Sequence, residues 1–383
     1  MYQCYDPMKN TPIKQPCQLC AKPLLFNFKT AFLQTKSPKF ARSGKQTVIL
    51  CSSLPKAAMS DLVLKPNVMP ALVVVGSANA DIYVEVDRIP REGETIAART
   101  GQTLAGGKGA NQAACAARLA YPTYFIGQVG KDAHGMLIRD CLASCGVRLD
   151  HLNTVSVPTG HAVVMLQPSG QNSIIIVGGA NVSWPRLEDG MGRLSTNAQH
   201  QIRRAGAILL QREIPDSVNI EVAKIAKSAN VPVILDAGGM DDPIPDDLLK
   251  SITILSPNET ELLRLTGMPT DTVDQVVEAA TKFHERGVNQ VLVKRGEQGS
   301  ILVSKDAPPI IQPAILAPVV LDTTGAGDTF TAAFSIGLLE KKSPSDSLKF
   351  AAAAASLCVQ IKGAIPSMPH RSAVLQLLQD EGI

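Results

Sequence analysis

Apolar and polar positions fall into a regular order only from Pro70 onward. Ala71-Leu-Val-Val-Val-Gly76 is an unbroken, mostly β-branched run stopped by glycine, the form of a strand buried on both faces. Residues 81–86 and 95–99 alternate apolar and polar side chains, which predicts strands with one wet face. Residues 107–119 follow a Gly-rich loop with helical spacing, 124–129 predict another strand, and 132–145 another helix. Segments 161–167 and 173–177, joined by Pro168-Ser-Gly170, predict a β-hairpin.

After Ala205 a strict alternation sets in. Strands at 208–211, 231–236, 252–256 and 291–294 are separated by helices at 216–228, 259–265 and 272–286, and helices at 326–341, 345–360 and 371–378 close the chain. Strands alternating with helices of this length predict an α/β fold with a mainly parallel sheet covered on both faces. The early antiparallel-looking strands do not fit inside such a sheet and are expected to form a small β-sheet lid, about residues 81–104 and 161–178.

Residues 1–67 differ from the remainder. They carry Lys9, Lys14, Lys22, Lys29, Lys36, Lys39, Arg42, Lys45 and Lys56, with Asp6 the only acid before Asp61. A basic, acid-poor start without a secretory apolar core reads as an organelle transit peptide, or else as a disordered leader with no address, leaving 68–383 as the folded domain. The net charge of +3 over 383 residues is concentrated in that leader, so it gives no reason to expect nucleic acid, and no apolar run is long enough for a membrane span. Eight cysteines without regular spacing do not form a disulfide framework, and the lone Cys17-x-x-Cys20 lacks a second metal-binding pair.

Asp322-Thr-Thr-Gly-Ala-Gly-Asp328 opens a helix, and its chemistry is the most informative in the chain. Gly325, Ala326 and Gly327 offer helix-start amides for an anion, and Asp328 sets a carboxylate beside them. That combination suits a base that deprotonates an attacking hydroxyl while the amides stabilise a phosphoryl group. It would serve equally as an ordinary helix start with a first-turn acid. Gly106-Gly107-Lys108-Gly109-Ala-Asn111 lacks P-loop spacing, but offers a tight loop, a cation and an amide to a polyhydroxylated ligand. Asn79 and Asp81 follow the first strand as paired polar groups, or as Asx turns. Asn258-Glu259-Thr-Glu261 supplies acids for hydrated Mg²⁺, or a helix cap.

In order and spacing these stretches resemble the ribokinase (PfkB) family of carbohydrate kinases, with Gln211-Arg-Glu213, Lys294-Arg-Gly-Glu-Gln-Gly299 and Lys362-Gly-Ala-Ile-Pro-Ser367 completing the series. The resemblance covers essentially everything after the leader and implies a three-layer α/β/α sandwich with a small β-sheet lid. It implies an ATP-dependent kinase phosphorylating O5 of D-ribose, with Asp328 as base and Gly325 to Gly327 as anion hole. Asn79, Asp81, Gly106, Gly107, Lys108, Asn111, Glu213 and Asp328 would hold the sugar. Asn258, Lys294, Arg295, Gly296, Glu297, Gln298, Gly299, Gly327 and Ala352 would contact ATP. Mg²⁺ would be placed through water by Glu261, and a monovalent cation, K⁺, by Asp322, Thr324, Cys358, Ile361, Gly363 and Ser367. Lys294 and Arg295 are basic where relatives often carry Thr and an apolar residue, so phosphate contacts there are expected to differ.

The resemblance further implies a homodimer through the lid, and with the leader it points to the plastid stroma, with mitochondrion or cytosol as the alternatives. The competing readings are a kinase for another sugar or nucleoside, and a catalytically silent member of the same fold serving as a scaffold. The polar set Asn79, Asp81, Asn111 and Glu213 favours a small hydroxylated sugar over a nucleoside, which would need an apolar base slot.

Overall fold

The structure, a computed structural model, describes residues 69–168, 172–186, 188, 190 and 192–382. The segment expected to be a transit peptide, with Cys17 and Cys20, lies outside the described residues.

Strand β1 (Leu72–Val75) is completely buried. Leu72 and Val74 enter one hydrophobic cluster and Val73 and Val75 the other, so a four-residue run without polar positions is what a central strand between two helical layers requires. The next strands are β2 (Asn79–Glu85), β3 (Thr100–Gly106), β4 (Thr123–Gly130), β5 (Arg148–Val155), β6 (Gly160–Leu166) and β7 (Asn172–Val177). They are followed by β8 (Ala207–Leu210), β9 (Val233–Asp236), β10 (Ile254–Ser256), β11 (Gln290–Lys294), β12 (Ser300–Ser304) and β13 (Ala307–Gln312). The main sheet has nine strands in the order β13-β12-β11-β10-β9-β8-β1-β4-β5. From β11 to β5 every pairing is parallel, and β12 and β13 continue the sheet antiparallel.

The helices are α1 (Lys108–Arg118), α2 (Ala133–Ser144), α3 (Thr196–Arg203), α4 (Asp216–Ser228), α5 (Asp246–Leu249) and α6 (Glu259–Thr266). After them come α7 (Val273–Glu285), α8 (Ala326–Leu339), α9 (Pro344–Cys358), α10 (Ala364–Ser367) and α11 (Arg371–Asp380). Helices α1, α2, α8, α9 and α11 cover one face of the sheet, and α3, α4, α6 and α7 the other. This is the expected three-layer α/β/α sandwich.

A second sheet, β3-β2-β6-β7, forms the expected lid. Tyr83, Ala162 and Val164, with Leu104 and Leu166, make its own small apolar cluster. The predicted hairpin is present as antiparallel β6 and β7. The strand expected at 95–99 lies instead at Thr100–Gly106, where it pairs with β2 from Glu85↔Thr100 to Asn79↔Gly106. That segment has no alternation to betray it: Gly101, Ala105 and Gly106 let it lie flat against β2, and its backbone hydrogen bonds rather than its side chains make it a strand.

Candidate active site

The carboxyl ends of five adjacent strands, β1, β8, β9, β10 and β11, lead directly into Ser77, Gln211–Glu213, Asp236, Asn258 and Lys294. Such a row is where open α/β sheets build their sites. Above it a cavity of about 770 Å³ runs between the lid and α8, lined among others by Asn79, Asp81, Lys108, Asn111, Glu213 and Asp328.

Asp328 is buried in the first turn of α8. Its two carboxylate oxygens accept from Asn111 Nδ2 at 2.9 Å and Gln112 Nε2 at 3.1 Å. Burial is the largest influence on this carboxyl and lifts it to about 6; Lys108 opposes the rise and Asp236 adds to it. A carboxylate held there is ionised at neutral pH and still basic enough to take a proton. Lys108 is itself desolvated, but Asp328, Asp236, Glu213 and Glu261 together hold its ammonium charged, well above its usual range.

Gly325 takes a left-handed conformation (φ 79°) to start α8. The amide of Ala326 is used by Thr323 O, and Thr329 N makes the first helical bond, to Gly325 O. Of the three residues expected to form the anion hole, Gly325 and Gly327 therefore keep amides for a ligand, while Ala326 closes the turn.

The sugar-facing residues converge. Asp81 lies on β2 with its carboxyl pushed up to about 7, by burial first, then by Glu213 and Asp328. The Asp81 side chain reaches over Gly106 on β3, where a Cβ would fall 2.0 Å from Asp81 Oδ2. Glu213 accepts from Ser77 Oγ at 2.5 Å and from Lys108 N at 3.0 Å, which fixes it at the start of α1. Asn111 Oδ1 is a buried acceptor with no partner among the described residues, a vacancy that a hydroxyl donor would fill. Asn79 is oriented by Asn181 Nδ2 at 2.7 Å, while Asn181 Oδ1 accepts from Ala78 N at 2.9 Å.

None of the residues expected to contact ATP (Asn258, Lys294, Arg295, Gly296, Glu297, Gln298, Gly299, Gly327 and Ala352) lines this cavity. Asn258 and Glu261 form a reciprocal capping box on α6, at 2.7 and 2.8 Å. Glu261 Oε1 accepts no hydrogen bond among the described residues and lies beside Gly238 and Lys108, an oxygen ligand of the kind a hydrated Mg²⁺ takes. Arg295 is buried and held by Glu259 Oε1 at 3.3 Å, Asp271 O at 3.1 Å and Gln298 Oε1 at 2.5 Å, so its guanidinium braces the loop. Gly299 (φ 89°) passes against β13, where a Cβ would meet Gln312 O. Ala352 is buried on α9.

Asp322 draws two loops together, accepting from Thr324 N at 2.9 Å and Gly363 N at 2.8 Å. Cys358 and Ser367 lie below them, with Sγ and Oγ 3.0 Å apart. Ile361 donates its amide to Cys358 O and exposes its side chain. Among the described residues no group of three or more His, Cys, Asp or Glu forms a metal cluster.

Sequence reasoning missed four contributors. Asp236, Gln112, Gln211 and Asn181 are buried, and Gln211 Nε2 donates to Gln112 Oε1 at 2.6 Å behind Asp328. Asp236 ends an apolar strand, the one polar residue in Val-Ile-Leu-Asp, and that was its only signal.

Residues 69–371 match the profile of the pfkB family carbohydrate kinase. The chain belongs to the pfkB family of carbohydrate kinases. It is 60% identical over 345 residues to ribokinase of Arabidopsis thaliana, covering 89% of each chain. Among solved structures, Arabidopsis thaliana ribokinase complexed with ribose and ATP superposes with a TM-score of 0.78 at 64% identity, covering 81% of this kinase and 99% of that chain. Ribokinase of Thermotoga maritima follows at 33% identity and a TM-score of 0.72, with coverages of 81% and 99%. This pfkB kinase therefore shares with those enzymes both the sandwich and the β-sheet lid.

Proposed function

We propose that this pfkB kinase transfers the terminal phosphoryl group of ATP to O5 of D-ribose. The observation that carries the reading is Asp328, buried between Asn111 and Gln112 at the mouth of an anion-binding helix start and under a cavity lined by hydroxyl-binding groups. Ribose hydroxyls are held by Asn79, Asp81, Asn111 and Glu213. Asp328 takes the O5 proton as the O5–phosphorus bond forms and the bond to the bridging oxygen of ADP breaks. Gly325 and Gly327 amides and Lys108 face the charge on the transferring group. The lid excludes water, which would otherwise compete as acceptor.

Glu261 would hold Mg²⁺ through water, and that ion supplies charge neutralisation on the phosphates. Asp322, Thr324, Cys358, Ile361, Gly363 and Ser367 would hold K⁺, mostly by carbonyls, ordering the two loops that Asp322 already joins. The nucleotide lies over Asn258, Lys294 and Gly296 to Gly299, with Ala352 beside it. Two copies pair through the lid, whose strand β7 exposes Ile175 on the face turned away from the cavity. The basic leader directs the chain to the plastid stroma.

The test is ADP release from ATP by leader-free protein with ribose, fructose, adenosine or no sugar, each in K⁺ or Na⁺. Ribose-dependent turnover that rises with K⁺ supports the reading. Equal turnover with adenosine or fructose changes the substrate, and no turnover from folded, ATP-binding protein returns the scaffold reading.

A further inference from the structure

One ion pair beside the site has no part in holding the sugar. Lys294 at the end of β11 reaches Asp236 at the end of β9, with Nζ 2.7 Å from Oδ2, and their side chains are 12% and 2% exposed. Lys294 Nζ also lies 3.3 Å from Thr331 Oγ1, one turn along α8 from Gly327. A Cβ built on Gly327 would sit 3.9 Å from Nζ, so the ammonium runs alongside the amide that remains open to an anion. We propose that Lys294 is a second cation, beside Lys108, that meets the transferring phosphoryl group, and that Asp236 is the positioning residue that holds it there. This rests on the kinase reading above.

The arrangement follows from donor counting. An ammonium has three protons. Asp236 and Thr331 account for two, leaving one with no acceptor among the described residues. A lysine on a flexible four-carbon stem loses much of its side-chain entropy when a ligand fixes it. Here that ordering is complete before the nucleotide arrives. Asp236 is itself immobile, because Oδ1 accepts from Gly238 N at 3.0 Å and Oδ2 from Thr331 Oγ1 at 3.1 Å. Burial works against its charge, but Lys294 first and then Lys108 keep the carboxyl ionised. The pair is thus neutral and rigid, with one proton left to donate to a peripheral phosphoryl oxygen as the bond to ADP breaks.

The arrangement also explains why the two residues must be read together. With Lys294 gone, Asp236 is a buried anion facing incoming phosphates. With Asp236 gone, the lysine loses its fixed direction. The experiment compares Lys294→Met, Lys294→Arg, Asp236→Asn and the double variant Asp236→Asn/Lys294→Met in leader-free protein. It measures kcat, both KM values, and the affinity ratio of a non-hydrolysable ATP analogue over ADP by calorimetry.

Lys294→Met is expected to lower kcat about 100-fold, the scale for losing one preorganised donor, with ribose KM changed less than about threefold. Its analogue-to-ADP ratio falls about tenfold. Lys294→Arg retains more activity than Lys294→Met, and the double variant is no slower than Lys294→Met alone, since Asp236 acts through the lysine. Multiplicative losses in the double variant, or an unchanged analogue-to-ADP ratio in Lys294→Met, overturn the inference. If wild-type protein turned over no ribose, the kinase reading would fail, while the nucleotide ratio would still decide the role of the lysine.

Discussion

Replacing Asp328 with asparagine removes one charge and almost no volume, and the structure sets opposite signs for its effects on activity and stability. The folded carboxyl sits at about 6 against an ordinary 3.8, with burial the main cause. Held to ionise less readily than in the unfolded chain, it costs about 3 kcal/mol at neutral pH. The penalty is absent below pH 3.8, grows up to about 6 and is complete above. Asparagine presents an amide where Asn111 Nδ2 now donates, but Asn111 can turn its unpartnered Oδ1 to accept from it. We therefore expect a net gain of about 1–2 kcal/mol at pH 7.5 after about 1 kcal/mol for imperfect hydrogen bonding. For a domain this size that is roughly 2–5 °C in Tm. Over the same substitution kcat falls about 10²–10⁴-fold, the range for a lost general base. Calorimetric scans at pH 7.5 and 4.5, with steady-state rates on ribose, measure both. A kcat within tenfold of wild type, or a Tm lowered equally at both pH values, would refute the assignment of Asp328 as a buried base.

Asp81, lifted to about 7, protonates as the pH falls through neutrality, so ribose KM should rise between pH 8 and pH 6. Asp81→Asn should flatten that profile and raise KM about 10–100-fold, the worth of a charged hydrogen bond; initial rates at saturating ATP test this. Gly106→Ala places a methyl 2.0 Å from Asp81 Oδ2, and should raise ribose KM about tenfold while leaving ATP KM unchanged. Asp322→Asn should raise the K⁺ concentration for half-activation about tenfold, read from a K⁺ titration at constant ionic strength. Ile175 is exposed on β7 between Ile174 and Ile176, which line the cavity, so it lies on the outer face of the lid. If the chain pairs through the lid as proposed, Ile175→Lys should leave it monomeric in sedimentation velocity where the unsubstituted chain sediments as a dimer, with ribose turnover per folded chain as the control.

Where one helix or strand carries its own periodicity, the fold was legible. β1, α4, α7 and the β6–β7 hairpin each declare their faces within a few residues. β13 was not legible, because Pro308 and Pro309 disguise it; the sheet tolerates them only because β13 is an edge strand. Its partner β12 was lost with it, while β5 is an edge strand that fully buries only Leu152 and α3 fully buries only Ala198 and Ile202, so both give little pattern. The site followed the same rule. Glycine-rich loops announce Asp328 and Lys108, since the backbone must bend sharply beside a ligand. Asp236 and Gln112 gain their meaning only from strands and helices far apart in the chain, brought together by the sheet order. The capping box of Asn258 and Glu261 shows the converse, in that a motif read for metal also does an ordinary helix-end task, with one oxygen to spare.

Asn79 and Asp81 ride on β2, a lid strand, whereas Asp328, Asp236 and Lys294 are rooted in the main sheet and its helix. The choice of acceptor and the handling of phosphate thus have partly separate architectural addresses, with Asn111 and Glu213 the sugar-facing residues that stay in the main layers. Variation confined to four peripheral strands can re-specify the sugar without disturbing the charged groups behind the anion site. Asp236 and Lys294 end β9 and β11 on either side of β10, and Asp328 opens α8 beside them, so a change in one displaces its neighbours. Such a division favours a lineage in which acceptor preference diversifies rapidly around transfer chemistry that barely changes.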